Sequence, residues 1–268
     1  MSRNIVMIHG MMQTPLCWNN YQPELEKAGF ICQAPALRFH QLSQKEAPDA
    51  RLAETSILDY VADLEKEIDK LAEPPILMGH SMGGLLAQIL AARGKAKALV
   101  LLTPAPPHGT VLVSPPSSLR SFSEVLQKWK FWQKPFRLSF EKAVYSVMHL
   151  LPEEEQKAQY QNLVYESGKA LFEIGMSPLD GKKASRVNPE AISCPVLVIS
   201  GKEDRIVPAS VVKKIARRYP QAVYWELEDH AHWVLGEKGW EEIVTKIIAW
   251  VKENVPHQSP ASSNEESK

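Results

Sequence analysis

Short, continuously apolar runs alternate with longer segments of helical periodicity along most of this chain. The runs are Ile5–Ile8, Phe30–Ala36, Pro75–Met78, Ala98–Leu102, Pro195–Ser200 and Val223–Leu227. Most lack the polar alternation of a half-solvated strand, which predicts strands buried on both faces of a parallel sheet. Between the second and third runs, Ile57, Val61, Leu64, Ile68 and Leu71 follow a 4-3-4-3 spacing, one apolar face of a helix. Ile243, Ile247 and Trp250, with Val244 and Val251, repeat the pattern near the end. Alternating strands and helices predict an α/β fold: a mostly parallel, doubly wound sheet of about six strands with right-handed crossovers.

One interval breaks the alternation. Between Pro106 and Asn188 no strand is predicted, and three amphipathic helices are: Leu119–Lys134, Phe136–Leu151 and Glu153–Ile174. Some eighty residues are far more than a crossover needs, so this interval reads as a helical cap or lid inserted into the sheet domain. The expected organisation is a core built from 1–105 and 189–255, a cap over 106–188, and a disordered polar tail over 256–268. Five of the 20 prolines (Pro104, Pro106, Pro107, Pro115 and Pro116) crowd the point where the chain leaves the sheet. They favour rigid, non-helical backbone at the cap entrance.

Composition narrows the function classes. Lys plus Arg is 31 and Asp plus Glu is 31, so the basic excess of a nucleic-acid-coating protein is missing. Cys17, Cys32 and Cys194 share no disulfide or metal-ligand spacing. No signal-peptide core or membrane span is read, and a cytoplasmic location is the expectation.

The chemistry concentrates in Gly79-His80-Ser81-Met82-Gly83-Gly84, which follows the strand Ile76–Met78 and precedes the helical stretch Leu85–Leu90. This is G-x-S-x-G in a tight strand-to-helix turn. Glycines suit it because the backbone there passes too close to its neighbours for a Cβ. Such a turn projects the Ser81 hydroxyl above the sheet, and the helix starting at Met82 aims backbone N–H groups at the same space. A serine hydroxyl needs a base, and the base an orienting acid. Asp204 lies in the loop after Pro195–Ser200, and both His230 and His232 follow Val223–Leu227.

On these marks, together with Ile8-His9-Gly10, Gly201-x-x-Asp204-Arg-Ile-Val-Pro208 and Ala231-His232-Trp233, the sequence resembles the α/β-hydrolase superfamily from Ile5 to about Val255. The resemblance implies that Ser81 attacks an acyl carbon, His232 shuttles the proton and Asp204 orients the imidazole. It favours His232 over His230 because a bulky residue, Trp233, follows. It also implies an oxyanion hole from the backbone N–H groups of Met11 and Met82, with His9 structural and His80 packed beneath the elbow. Two departures stand out: the antiparallel strands that often precede the His-Gly strand are missing, and Leu37-Arg38-Phe39-His40 lacks the usual Asp/Gly-rich turn.

The expected reaction is hydrolysis of apolar, small-to-medium carboxylic esters through an acyl-enzyme on Ser81, with no cofactor and no metal. Thioesterase, lysophospholipase or monoacylglycerol lipase, acyltransferase and lyase chemistries are alternatives for the same triad, and a non-catalytic ligand-binding homologue is the alternative of a different class. Met12, Trp129, Trp132 and Trp233 are candidate substrate contacts. Residues 119–137 carry Arg120, Lys128, Lys130, Lys134 and Arg137 against the single acid Glu124, interleaved with aromatics. This stretch reads as an amphipathic cap helix with Leu119, Phe122, Leu126 and Trp129 facing inward. Two further readings are a weak contact with a lipid interface, and an arginine that recognises an anionic substrate group.

Overall fold

The computed structural model describes residues 4–41 and 46–255; the tail expected over 256–268 lies outside the described residues. Six parallel strands form one sheet: β1 (Asn4–Ile8), β2 (Ile31–Gln33), β3 (Ile76–His80), β4 (Ala98–Leu102), β7 (Val196–Gly201) and β8 (Ala222–Leu227). Two further strands, β5 and β6, belong to the segment between β4 and β7. The order across the main sheet is β2-β1-β3-β4-β7-β8.

Neighbouring residues of a strand face opposite sides of the sheet. Ile5, Met7, Ile76, Met78, Val100, Leu102, Leu197 and Ile199 pack with α1 (Tyr21–Lys27) and α10 (Trp240–Asn254). Val6, Ile8, Leu77, Leu99, Leu101, Val196 and Val198 pack with α2 (Ile57–Ile68), α3 (Met82–Ala92) and α9 (Ala209–Ala216). Each side chain so buried contributes about 1.5–3 kcal/mol relative to exposure. Helices on both faces therefore demand apolar residues at every strand position, which is why the central strands read as continuous runs. The edges relax this demand: Ile31 of β2 and Val223 of β8 are exposed.

The second strand is shorter than its apolar run. Phe30–Ala36 predicts seven residues, but only Ile31–Gln33 join the sheet. Pro35 has no N–H to give the ladder, and two residues further on Leu37 N–H donates to His9 Nε2 instead (3.1 Å).

Between β4 and β7 the chain builds a long insertion of short elements: α4 (Pro116–Ser121), α5 (Ser123–Leu126), β5 (Pro135–Phe136), α6 (Phe140–Ala143) running into a π-helical turn over Val144–Met148, α7 (Glu153–Gln161), β6 (Glu166–Ser167) and α8 (Gly168–Gly175). Two expectations are corrected here. The segment is not free of strands, since β5 and β6 pair antiparallel through Pro135–Ser167 and Phe136–Glu166. Nor is Glu153–Ile174 one helix: α7 buries no side chain, and the chain breaks so that Glu166 can turn inward. The insertion is tied to the core at the start of α2. There Ser56 and Asp59 form a capping box, and Glu173 of α8 accepts from Ser56 Oγ and Ile57 N–H, each at 2.8 Å.

The strand order also places the site. The chain moves outward from β1 to β2, then returns to the other side of β1 to form β3. Such a reversal opens a crevice beyond the carboxyl ends of the two strands. At its base Gly83 presses against β1, where a Cβ would overlap the carbonyl oxygens of Ile8 and His9. Gly83→Ala is expected to cost about 3 kcal/mol or more, because the obstructing atoms are backbone and cannot swing away. Urea unfolding followed by circular dichroism would check this; a midpoint matching the unmodified protein would refute the contact.

Candidate active site

β3 ends in His80, and the chain turns sharply into α3 through Ser81, whose φ of 52° and ψ of −119° lie in a region that L-residues avoid. Three features impose that conformation. Ser81 N–H donates to Leu102 O (3.0 Å), its carbonyl accepts from Gly84 and Ala105 N–H (both 2.9 Å), and a Cβ on Gly79 would collide with Gly83 O. The Ser81 side chain makes no bond to the helix it precedes, and it lines a cavity of about 430 Å³.

His232 lines the same cavity from the loop after β8. Its Nδ1 lies 2.7 Å from Asp204 Oδ2, and Asp204 Oδ1 accepts from Ile206 and Val207 N–H at 2.8 and 2.9 Å. With that carboxylate on Nδ1, the imidazole is held with Nε2 as its free base. His230, the alternative from sequence, instead lies next to Gly239 with its Nε2 buried and unpaired. The carbonyl of His232 is also fixed, accepting from His80 Nε2–H at 2.8 Å and Thr103 Oγ1 at 3.3 Å. Burial, followed by the neighbouring His232 ring, lowers His80 to about 3. It is therefore a neutral prop under the elbow.

After β1, His9-Gly10-Met11-Met12 loops over the end of the sheet. His9 donates from Nδ1 to Gly10 O (2.9 Å) and accepts from Leu37 N–H at Nε2, while Gln13 Oε1 accepts Gly10 N–H (3.1 Å). Met11, Met12 and Met82 all line the cavity. The Met11 and Met82 N–H groups donate to no protein acceptor among the described residues, whereas Met12 N–H is taken by Glu166 Oε2 (3.3 Å). Two free backbone donors beside a serine, an imidazole and a carboxylate are the parts of nucleophilic acyl chemistry.

The aromatic substrate contacts are not where the sequence suggested. Leu119, Phe122 and Leu126 do line the cavity, but α5 ends at Leu126 and Lys130 adopts a left-handed conformation, so Trp129 turns to solvent and is 78% exposed. Trp132 packs on Phe131 and Phe172 at a separate surface depression. Trp233 is buried edge-on against His80, behind the site. Of the four candidates only Met12 reaches the cavity. Arg120 and Arg137 do not line it either: Arg120 stacks on Tyr145, and Arg137 on Tyr160 and Tyr165.

Comparison with known proteins places this architecture. The model of the alpha/beta hydrolase family matches residues 5–246. The chain belongs to the alpha/beta hydrolase family. A relative of this family member is the AB hydrolase superfamily protein YfhM of Bacillus subtilis (strain 168), 25% identical over 256 residues that cover 91% of this chain and 88% of that one. Among solved structures, it is similar to the monoacylglycerol lipase of Paleococcus ferrophilus (TM-score 0.68, 24% identity, 92% of this chain and 93% of that one). A methylesterase, MES16 from Arabidopsis, superposes with a TM-score of 0.68 at 17% identity over 94% of this chain and 98% of that one. At such identities these two likenesses speak for the fold.

Two further parts of the candidate site had no signal in the sequence. One is Gln13, on Gly10. The other is Glu237, only 1% exposed, whose carboxylate accepts Ala231 N–H (2.8 Å) and Trp233 N–H (3.3 Å), the two amides flanking His232. Burial pushes Glu237 up to about 7 against the pull of those two donors. A carboxyl whose value is raised by folding stabilises the fold below its ordinary value, and that contribution is lost as pH rises through 7. His80, and His9 likewise lowered to about 3 chiefly by burial, act in the other direction: stability is lost as pH falls below 6.5. Glu237 thus offsets part of the acid destabilisation from the buried histidines. Glu237→Gln is expected to lose about 1.5 kcal/mol more than the unmodified protein between pH 7 and 5.5, measured by urea unfolding at both values. Parallel pH dependences would rule out this role.

Proposed function

We propose that this chain is a serine hydrolase of uncharged, apolar carboxylic esters, working through an acyl-enzyme on Ser81. The observation that carries the reading is the 2.7 Å contact of His232 Nδ1 with Asp204, with Ser81 and His232 on one cavity that no Lys, Arg, Asp or Glu lines. Ser81 Oγ attacks the ester carbonyl while His232 Nε2 takes its proton. The Met11 and Met82 N–H groups receive the negative charge that develops on the carbonyl oxygen. The intermediate collapses, the C–O bond breaks and the alcohol leaves with the proton from His232. Water, deprotonated by His232, then attacks the acyl carbon and releases the acid. The 106–188 segment acts as the cap, with Leu119, Phe122, Leu126, Val147 and Leu171 forming the apolar wall that receives the acyl group. Membership of the alpha/beta hydrolase family supports hydrolysis as the chemistry.

A second reading is favoured by the cavity mouth. Leu112, Val113 and Leu179 line the cavity and yet are 81%, 79% and 69% exposed, a rim suited to taking an acyl ester from an aggregate. This puts the lipid-facing surface at the mouth rather than at Trp129–Arg137. Activity that jumps when a long-chain ester passes its solubility limit would favour it. A smooth saturation curve through that limit would favour a dissolved ester.

Ser81→Ala is expected to abolish hydrolysis of p-nitrophenyl esters and labelling by a fluorophosphonate while leaving thermal stability nearly unchanged. Retention of either activity would overturn the acyl-enzyme, and no labelling of the unmodified chain would favour a non-catalytic binder. Across a p-nitrophenyl series, kcat/KM should rise about four-fold per methylene until the cavity is full, the equivalent of about 0.8 kcal/mol per buried CH₂. A hemisuccinate should be hydrolysed far more slowly than the butyrate of similar length. Equal rates for the charged and neutral acyl groups would contradict the charge-free wall.

A further inference from the structure

Glu166 is the most fully engaged carboxylate outside the Ser81 site. It is completely buried, and four donors converge on it: Tyr60 Oη and Ser167 N–H on Oε1 (both 2.7 Å), and His40 Nε2 and Met12 N–H on Oε2 (3.1 and 3.3 Å). Tyr60 comes from α2, His40 from the loop after β2, and Met12 from the loop that carries the Met11 N–H. His40 is equally buried, and its other nitrogen faces the carbonyl of Arg38 at 2.9 Å. A carbonyl and a carboxylate can only accept, so both ring nitrogens of His40 are N–H donors and the pair is an imidazolium facing a carboxylate. Burial alone would pull His40 down, yet the charge of Glu166 and its hydrogen bond carry it above the ordinary histidine value. Burial would raise Glu166, but His40 and the other donors hold it below the ordinary carboxylate value.

The insertion grips the Met12 peptide on both sides. Glu166 takes the N–H of Met12, and Val164 N–H, two residues earlier in the insertion, donates to its carbonyl at 2.8 Å. Met12 has a φ of 60°, a conformation that an unbranched L-residue leaves unless held. Its amide lies one peptide beyond the Met11 N–H, so a shift of the Met12 plane moves that donor directly.

We propose that the Glu166–His40 pair is a positioning device: it anchors the insertion on the loop after β1 and fixes the Met11 N–H where an oxyanion forms. This rests on the serine hydrolase reading above. The pair does not touch substrate. It acts through Met12, so its loss weakens the response to the tetrahedral oxyanion more than to the planar ester. A buried ion pair is poor evidence of stabilisation in itself; a charge held at this position has a purpose in orienting the loop.

Glu166→Gln tests the assignment, because an amide has one accepting oxygen and its NH2 group would face the two donors of the other. With p-nitrophenyl butyrate the expected result is a kcat lowered about ten-fold with KM within two-fold. The inhibition constant of a trifluoromethyl ketone, which forms a tetrahedral oxyanion on the serine, rises by the same factor as kcat falls. Glu173→Gln is the comparison: it weakens another buried carboxylate linking the insertion to the core, one that bonds Ser56 and Ile57 and not the Met12 loop, and should lower stability while leaving kcat and the ketone affinity intact. Should Glu166→Gln fail to fold, Glu166→Asp keeps the charge but withdraws it from Met12, and the same split is read. A folded Glu166 variant with unchanged kcat and ketone affinity overturns the proposal, as does an equal loss in Glu173→Gln. If Ser81→Ala still hydrolyses the ester, the reading beneath it fails instead.

Discussion

Gly83 lies against the carbonyl oxygens of Ile8 and His9 with no room for a side chain between the two backbones. That contact joins the start of α3 to the end of β1, and much of the site follows from it. Because α3 comes so close, the turn before it must be abrupt, which forces Ser81 to a positive φ and lifts its side chain clear of the helix. The same closeness puts the amide of Met82 beside the loop that carries Met11. Gly10 completes the fit from the other side, since a Cβ there would sit 3.0 Å from Ser81 Cβ. The strand order makes this meeting available, because β1 and β3 are neighbours separated in sequence by the excursion to β2.

Loops at this end of the sheet leave the hydrogen-bonded ladder while still buried, so their amides need acceptors. Three buried glutamates among the described residues meet that need. Glu237 serves the amides beside His232, Glu166 those of Met12 and Ser167, and Glu173 that of Ile57. An unpaired buried amide costs about 1–3 kcal/mol, and a buried carboxylate costs several unless its lone pairs are filled. Each carboxylate here has at least two donors, so the two costs offset one another locally. What remains is directional: one carboxylate can hold two loops in register, as Glu166 does by taking His40 and Met12 on the same oxygen, Oε2.

What the sequence reveals divides along the same line. The sheet could be read because burial on both faces leaves its mark at every residue of a strand, as in Ile76–Met78 and Ala98–Leu102. The elbow could be read because its steric demand falls on glycines adjacent in the chain, and Asp204 and His232 because each sits just beyond an identifiable strand. The insertion could not be divided correctly. Tyr160, Leu163, Val164, Ser167 and Leu171 have helical spacing, yet two short helices and a strand result, because Glu166 answers to Met12, 154 residues away. Trp129 followed a helical face that ends three residues earlier. Glu237 and Gln13 left no sign, since accepting a backbone amide demands no recognisable pattern around the acceptor.

The cations of the insertion illustrate how net neutrality can conceal a local arrangement. Residues 119–137 carry five basic groups against one acidic group, although the whole chain balances 31 with 31. An anion-binding reading would turn some of them toward the cavity, yet none lines it. Arg120 and Arg205 stack on Tyr145 from the insertion and from the loop after β7, with ring distances of 4.2 and 4.8 Å, and Arg205 also donates to Tyr145 O. Arg137 covers Tyr160 and Tyr165. A guanidinium over a ring keeps most of its hydration while adding about 0.5–1 kcal/mol of attraction at an exposed site. The insertion packs inward through Val125, Phe136, Ala143, Met148 and Leu171, and these ring contacts add to that packing from the outer side. The arginines therefore fasten the insertion from outside, and the space it encloses is left free of charge.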